Sequence, residues 1–249
     1  MRVLVTGTSR GVGRAIANAF ARHHRGSLLV GLLDQRRHDD PTPCPSEGHA
    51  RSEACLDVER EGGIAVDVLA DDRRATTWTR CVRSFLDVAG GLDVLVHASS
   101  ASSASARMHV LYEANTRNTM LCVNECRAAL ERSPVASIVT VSPPVRMGRL
   151  EWLTETGVPM TVSRYSMTLA TLAEARSGGV RANCIWPRHV LSPPRTSNRT
   201  TRDFAEAVHR LAVVDTFRNA ECVFDDDVLP DLPATDAPLN AYADERTGW

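Results

Sequence analysis

The chain has 249 residues, enough to bury a substantial core in one α/β domain, so a second domain is unnecessary. With 29 basic and 30 acidic residues the net charge is −1, which gives no electrostatic footprint for nucleic acid or an anionic membrane surface. No apolar stretch approaches the length of a membrane span. The first predicted strand begins at Arg2, leaving no room ahead of it for a signal peptide, so a cytoplasmic location is expected.

The seven cysteines are scattered, and only Cys122 and Cys126 are close, at helical i,i+4 spacing. Reduced, mostly buried thiols are expected, with no metal site. All 29 basic residues are arginine; the chain contains no lysine.

In chain order, the first predicted strand, residues 2–6, carries the apolar run Val3-Leu4-Val5. Thr6-Gly7-Thr8-Ser9-Arg10-Gly11-Val12-Gly13 follows and opens a helical pattern over 12–24. A short strand, a glycine turn and a helix N-terminus make a phosphate holder, because free backbone N–H groups and the positive end of the helix dipole face an anion placed there. Gly7 permits the sharp turn, while Gly11 and Gly13 put no side chain between backbone and ligand. The spacing T-G-x3-G-x-G differs from the common dinucleotide fingerprint, but the mechanics are shared.

Further strands are predicted at 27–33, 64–68, 92–97, 136–141, 180–185 and 221–224, and helices at 46–61, 73–89, 108–132 and 160–177. Several strands are continuous apolar runs, the pattern of strands covered on both faces. The alternation predicts a Rossmann-type, doubly wound parallel sheet of about seven strands, with helices on both sides and ligands beyond the carboxyl ends of the strands. Polar, proline-rich residues 36–45 read as an exposed loop, and the small-residue run 99–106 as a mobile one. Residues 225–249 read as an acidic, extended tail packed on the surface of this single domain, residues 1–249.

Taken together these landmarks resemble the short-chain dehydrogenase/reductase family across essentially the whole chain. Thr6 to Gly13 resembles its cofactor turn, and Asp67-Val68, placed after the third strand, its adenine-contacting Asp. Asn115 occupies the place of the structural and catalytic Asn, and Ser142, closing Ile138-Val139-Thr140-Val141, that of the catalytic Ser. Pro187 resembles the turn at the nicotinamide end, and Val190 and Ser192 the contacts to the carboxamide. Ser142-Pro143-Pro144, Trp186-Pro187-Arg188 and Phe224 to Leu229 resemble a hydroxysteroid dehydrogenase-like branch.

The departures are as informative. The family carries Tyr-x-x-x-Lys on the helix after the fifth strand; here the aligned positions are Met160 and Arg164. Its Asn-Asn-Ala-Gly is His97-Ala98-Ser99-Ser100, and its Pro-Gly is Pro187-Arg188. By this resemblance the Tyr exchanges the proton at the substrate oxygen, the Lys lowers its pKa and holds the nicotinamide ribose, and the Asn holds a water. A thioether cannot exchange a proton, and losing a positioned acid/base costs on the order of 10²–10⁴ in rate. Arg164 retains a charge and donors for a ribose hydroxyl but relays no proton at neutral pH. Met160 reads as an apolar patch, with Ser142 orienting a bound molecule. Tyr165 lies roughly 140° around the helix from Met160 and reads as packing. Tyr112, His97 and His189 are other conceivable proton donors, each read as an ordinary, partly exposed side chain.

The cofactor signals divide. Arg10, Arg36 and Arg37 favour the 2′-phosphate of NADP(H), while Asp34 favours the free hydroxyl of NAD(H); the balance leans to NADP(H). Bulk at Ser99-Ser100, beside backbone contact Ala98, and at Arg188 makes a cofactor-free protein the alternative. Three readings follow: a nicotinamide-dependent oxidoreductase-like protein acting on a small carbonyl, alcohol or biosynthetic intermediate with non-standard proton transfer; a redox-neutral cyclase, isomerase or dehydratase; or a non-catalytic partner of an active homologue. A homodimer or homotetramer is expected through the helices at 108–132 and 160–177, with a hetero-oligomer the alternative.

Overall fold

The computed structural model describes residues 1–9, 11–36, 52–71, 75–99, 112–142, 169–171, 173, 179–188 and 200–230. Seven strands form one sheet: β1 (Arg2–Thr6), β2 (Leu29–Arg36), β3 (Ile64–Asp71), β4 (Val94–His97), β5 (Ser137–Val141), β6 (Arg181–Trp186) and β7 (Cys222–Phe224). Their order is β3-β2-β1-β4-β5-β6-β7, and every neighbouring pair is parallel. The predicted Rossmann-type sheet is therefore the observed one. Order reverses between β1 and β4, so the crevice for a ligand lies beyond Thr6 and His97.

Side-chain alternation along the strands feeds two cores. Val3 and Val5 pack with Ile16 and Phe20 of α1 (Gly11–His23) and with Phe204, Val208 and Leu211. On the opposite face Leu4 and Leu95 pack with Trp78 and Phe85 of α3 (Ala75–Ala89) and with Cys122 and Cys126 of α4 (Asn118–Leu130). Helix α2 (Glu53–Arg60) covers the β3 edge of the first face. Arg2 fastens the amino end of the sheet: Asp93 accepts its backbone N–H at 2.8 Å and its guanidinium at 2.7 Å.

Three expectations are corrected. First, β2 and β3 run three residues past their apolar stretches, pairing Asp34 with Leu69, Gln35 with Ala70 and Arg36 with Asp71. The ladder is made by backbone groups and does not stop where side chains become polar. Second, the β6–β7 connection contains a helix the sequence reading lacks, α5 (Thr201–Val213), opened by a reciprocal capping box between Thr200 and Asp203. Third, the supposed extended tail begins as a helical turn, α6 (Asp225–Val228), with Asp225 and Val228 buried. No helix among the described residues is long and apolar enough to cross a membrane.

Candidate functional site at the carboxyl edge of the sheet

The turn after β1 is held by backbone contact. The Gly7 N–H donates to the Leu33 carbonyl at 2.8 Å, with Gly7 at φ +74°. A Cβ on Gly7 would lie 2.6 Å from the Ser99 Cα, and one on Gly13 only 2.1 Å from the Gly7 carbonyl oxygen. Gly11 is different: its φ is +61°, yet among the described residues a Cβ there would meet nothing within 4 Å. Two glycines thus close the turn on itself, while the third opens α1 beside free space. A phosphate on the helix N-terminus fits this cradle. Ser9 is exposed at its lip, and Val12 is half-buried against the first core.

The end of β4 is stitched to the same turn. Thr6 Oγ1 accepts the backbone N–H groups of Ala98 (3.2 Å) and Ser99 (3.1 Å) and donates to Ser99 Oγ at 3.0 Å. The hydroxyl at Ser99 is thereby tied to β1. His97, expected to be partly exposed, is 1 % exposed, and its Nε2 has no hydrogen-bond partner among the described residues. Burial pushes its pKa down to about 4. Such an imidazole is neutral at pH 7, so it does not serve as an imidazolium acid there. Tyr112, by contrast, is 52 % exposed.

Asp67 is placed differently from its expectation. It lies inside β3, opposite Leu32, and its carboxylate accepts the Ser52 backbone N–H (3.0 Å) and hydroxyl (2.6 Å). Ser52 in turn caps α2 by accepting the Cys55 N–H. Val68 belongs to the second core rather than to a ligand surface. The residue that closes β3 is Asp71, opposite Arg36.

On the reaction side, Asn115 is buried within a π-helical turn, Glu113–Arg117, that leads into α4. Thr119 Oγ1 donates to the Asn115 carbonyl at 3.0 Å. One-turn π-helical insertions in longer helices concentrate at functional sites. Ser142, fully buried, follows β5 and donates its N–H to the Ile185 carbonyl at 3.2 Å, so the ends of β5 and β6 are joined where the two strands leave the sheet. Helical residue Thr171 donates its hydroxyl to Thr140 of β5 at 2.5 Å.

Pro187 follows β6, and Arg188 does not project as loose bulk. Its backbone N–H donates to Asp225 Oδ1 at 2.8 Å, and its guanidinium pairs with Asp226 and stacks 3.9 Å above the Phe224 ring. Met160, Arg164 and Tyr165 lie outside the described residues, as do Arg10, Arg37, Ser100, His189, Val190 and Ser192. Asp34 and Arg36 lie in the extension of β2, opposite Leu69 and Asp71 of β3. Among the described residues, no group of three His, Cys, Asp or Glu could hold a metal ion.

The chain resembles hydroxysteroid dehydrogenase-like protein 2 of Rattus norvegicus, 29% identical over 195 residues, which cover 75% of this chain and 36% of that protein. The match thus spans about a third of the relative's length. No protein-family model matches. Among solved structures, a short chain dehydrogenase from Mycobacterium thermoresistibile superposes with a TM-score of 0.78 at 23% identity, covering 94% of this chain and 88% of that one. A blue fluorescent protein from a metagenomic library, in complex with NADPH, gives 0.70 at 19% identity, covering 90% and 95%. A 3-oxoacyl-[acyl-carrier protein] reductase from Brucella melitensis, in complex with NAD, gives 0.69 at 17%, covering 94% and 98%.

Proposed function

We propose that the chain, which resembles the short-chain dehydrogenase/reductase family in sequence and fold, is an NADP(H)-binding oxidoreductase whose substrate is a small carbonyl compound or alcohol and whose proton transfer bypasses the usual phenol. The observation that carries this reading is the cradle: Gly7 and Gly13 packed against backbone, and Gly11 open at positive φ. Related folds holding NADPH and NAD support a nucleotide there.

The backbone of the Gly7 to Gly13 turn holds the pyrophosphate, with Ser9 and Arg10 at its edge. Arg10 and Arg36 favour the 2′-phosphate over the hydroxyl that Asp34 would bind, and Asp71 takes the adenine-side role first assigned to Asp67. Ala98 lines the path between the two halves, and Pro187, Val190 and Ser192 receive the carboxamide end. When bound, the nicotinamide supplies or accepts the hydride. Ser142 orients the substrate oxygen by its hydroxyl, Asn115 supports the water-lined side, and Arg164 holds a ribose hydroxyl. Met160 offers an apolar wall and no proton, so the proton at the substrate oxygen comes from water or the substrate itself.

The test is oxidation of NADPH with a panel of small carbonyls by the wild-type chain and by Met160→Tyr/Arg164→Lys. Slow turnover in the wild type, raised at least about tenfold in the double variant, is expected if only the acid is missing. Absence of turnover in both would contradict the oxidoreductase reading. A redox-neutral reaction is the second reading, favoured by the joint replacement at 160 and 164. For assembly we propose a homodimer packed through α4 and the 160–177 segment, to be checked by light scattering.

A further inference from the structure

Across the switch point, a dinucleotide laid on the glycine turn puts its adenosine half over β2 and β3 and its other half over β4, β5 and β6. The turn leaving β6, Trp186-Pro187-Arg188, therefore borders the nicotinamide half. It is also the place where a glycine of the family pattern has become the largest cationic side chain. Unrestrained, that side chain would compete with the ligand for space.

The structure fastens it elsewhere. Asp225, 1 % exposed, accepts the Arg188 backbone N–H at 2.8 Å. The Arg188 guanidinium lies 3.9 Å from the Phe224 ring centroid, pairs with Asp226, and has Asp227 at 3.7 Å. Trp186 stands opposite Phe224 in the β6–β7 register, and their rings meet edge to face at 5.5 Å. Asp227 is itself oriented by the Phe224 N–H at 3.0 Å, and Val228 anchors α6 in the first core. Backbone, charge and ring contacts thus join the β6 turn to one short element after β7.

We propose that Asp225 and its neighbours on α6 form a clasp that positions the nicotinamide-side turn and withdraws Arg188 from the ligand's path. Asp225 is a positioning residue here: it acts through the 188 backbone and touches no reacting atom. The inference rests on the cofactor reading given above.

Its test compares two probes on the full chain: NADPH, followed by the emission of its reduced nicotinamide, and adenosine 2′,5′-bisphosphate, which has the adenosine half alone. Asp225→Ala removes a charge-assisted backbone bond and is expected to weaken NADPH binding about tenfold or more. The fragment's affinity is expected to stay within about twofold, because its contacts lie across the sheet. Asp226→Ala, on a part-exposed residue, keeps the fold intact and is expected to shift the nicotinamide emission and weaken NADPH by about two- to threefold. Equal loss of both probes in Asp225→Ala, with no change in Asp226→Ala, would reduce the clasp to a folding contact and overturn the proposal. So would unchanged affinity for both probes in both variants. A wild-type chain that binds neither probe overturns the cofactor reading itself, whereas wild-type binding with an unaltered probe ratio in the variants overturns the clasp alone.

Discussion

Where β1 turns into α1, backbone approaches backbone: Gly13 lies under the Gly7 carbonyl and Gly7 against Ser99. Where β6 leaves the sheet, side chains set the geometry, with Arg188 held by Asp225, Asp226 and Phe224. The first arrangement admits no Cβ on Gly7 or Gly13. The second is assembled from charges and rings, and the chain departs from the short-chain dehydrogenase/reductase pattern there, at positions 160 and 164, and at 97 to 100 beside Gly7. On the proposed cofactor reading, a cradle built from backbone stands beside a reaction end built from side chains.

The strongest challenge to this contrast is Gly13→Ala. Its Cβ would sit 2.1 Å from a carbonyl oxygen that cannot move without undoing the turn. We expect a stability loss of about 3 kcal/mol, a fall in Tm of roughly 6–12 °C and loss of NADPH binding, measured by thermal unfolding and titration. Gly11→Ala is the control within the same turn: with open space around it, only the positive φ is strained, and about 1 kcal/mol is expected.

Between the two regions sits His97, whose folded pKa of about 4 lies below the ordinary imidazole value of 6.5. A group with a depressed folded pKa of this kind favours the fold fully above pH 6.5, and that contribution is lost as pH falls towards 4. The expected loss is roughly 3 kcal/mol over that window. His97→Asn should flatten that part of the stability profile measured by urea unfolding. His209, also near 4 through burial, contributes with the same sign at the far side of the α1–α5 packing, so a residual acid limb remains in the variant.

The smallest effect separates Asp67 from the ligand. Ser52→Ala removes the α2 cap and the donor to Asp67, and should cost about 1 kcal/mol in denaturant unfolding. NADPH affinity should be unchanged, because this contact lies within β3 rather than at its end. A parallel loss of affinity would return Asp67 to the site.

These results also show what was readable beforehand. The sheet and the glycine turn were legible because apolar runs such as Val3-Leu4-Val5 and positive-φ glycines each have a single physical use. The ends of β2 and β3 were not, since Asp34 to Arg36 and Leu69 to Asp71 pair through backbone that hydropathy does not record. The same shortfall placed Asp67 after β3, whereas it lies inside that strand. Helix α5 does announce itself, by Thr200 and Asp203 ahead of Phe204, Val208 and Leu211 at helical spacing. The burial of His97 and the folding back of Arg188 depend on partners distant in sequence, Thr6 and Thr140 for one and Asp225 for the other, and no local pattern encodes them.

The most direct measurement is equilibrium titration of the wild-type chain with NADPH, followed by nicotinamide fluorescence, with NADH in parallel. The account predicts saturable NADPH binding below millimolar concentration, weaker NADH binding, and loss of both in Gly13→Ala. A folded chain that binds neither dinucleotide at millimolar concentration would contradict it.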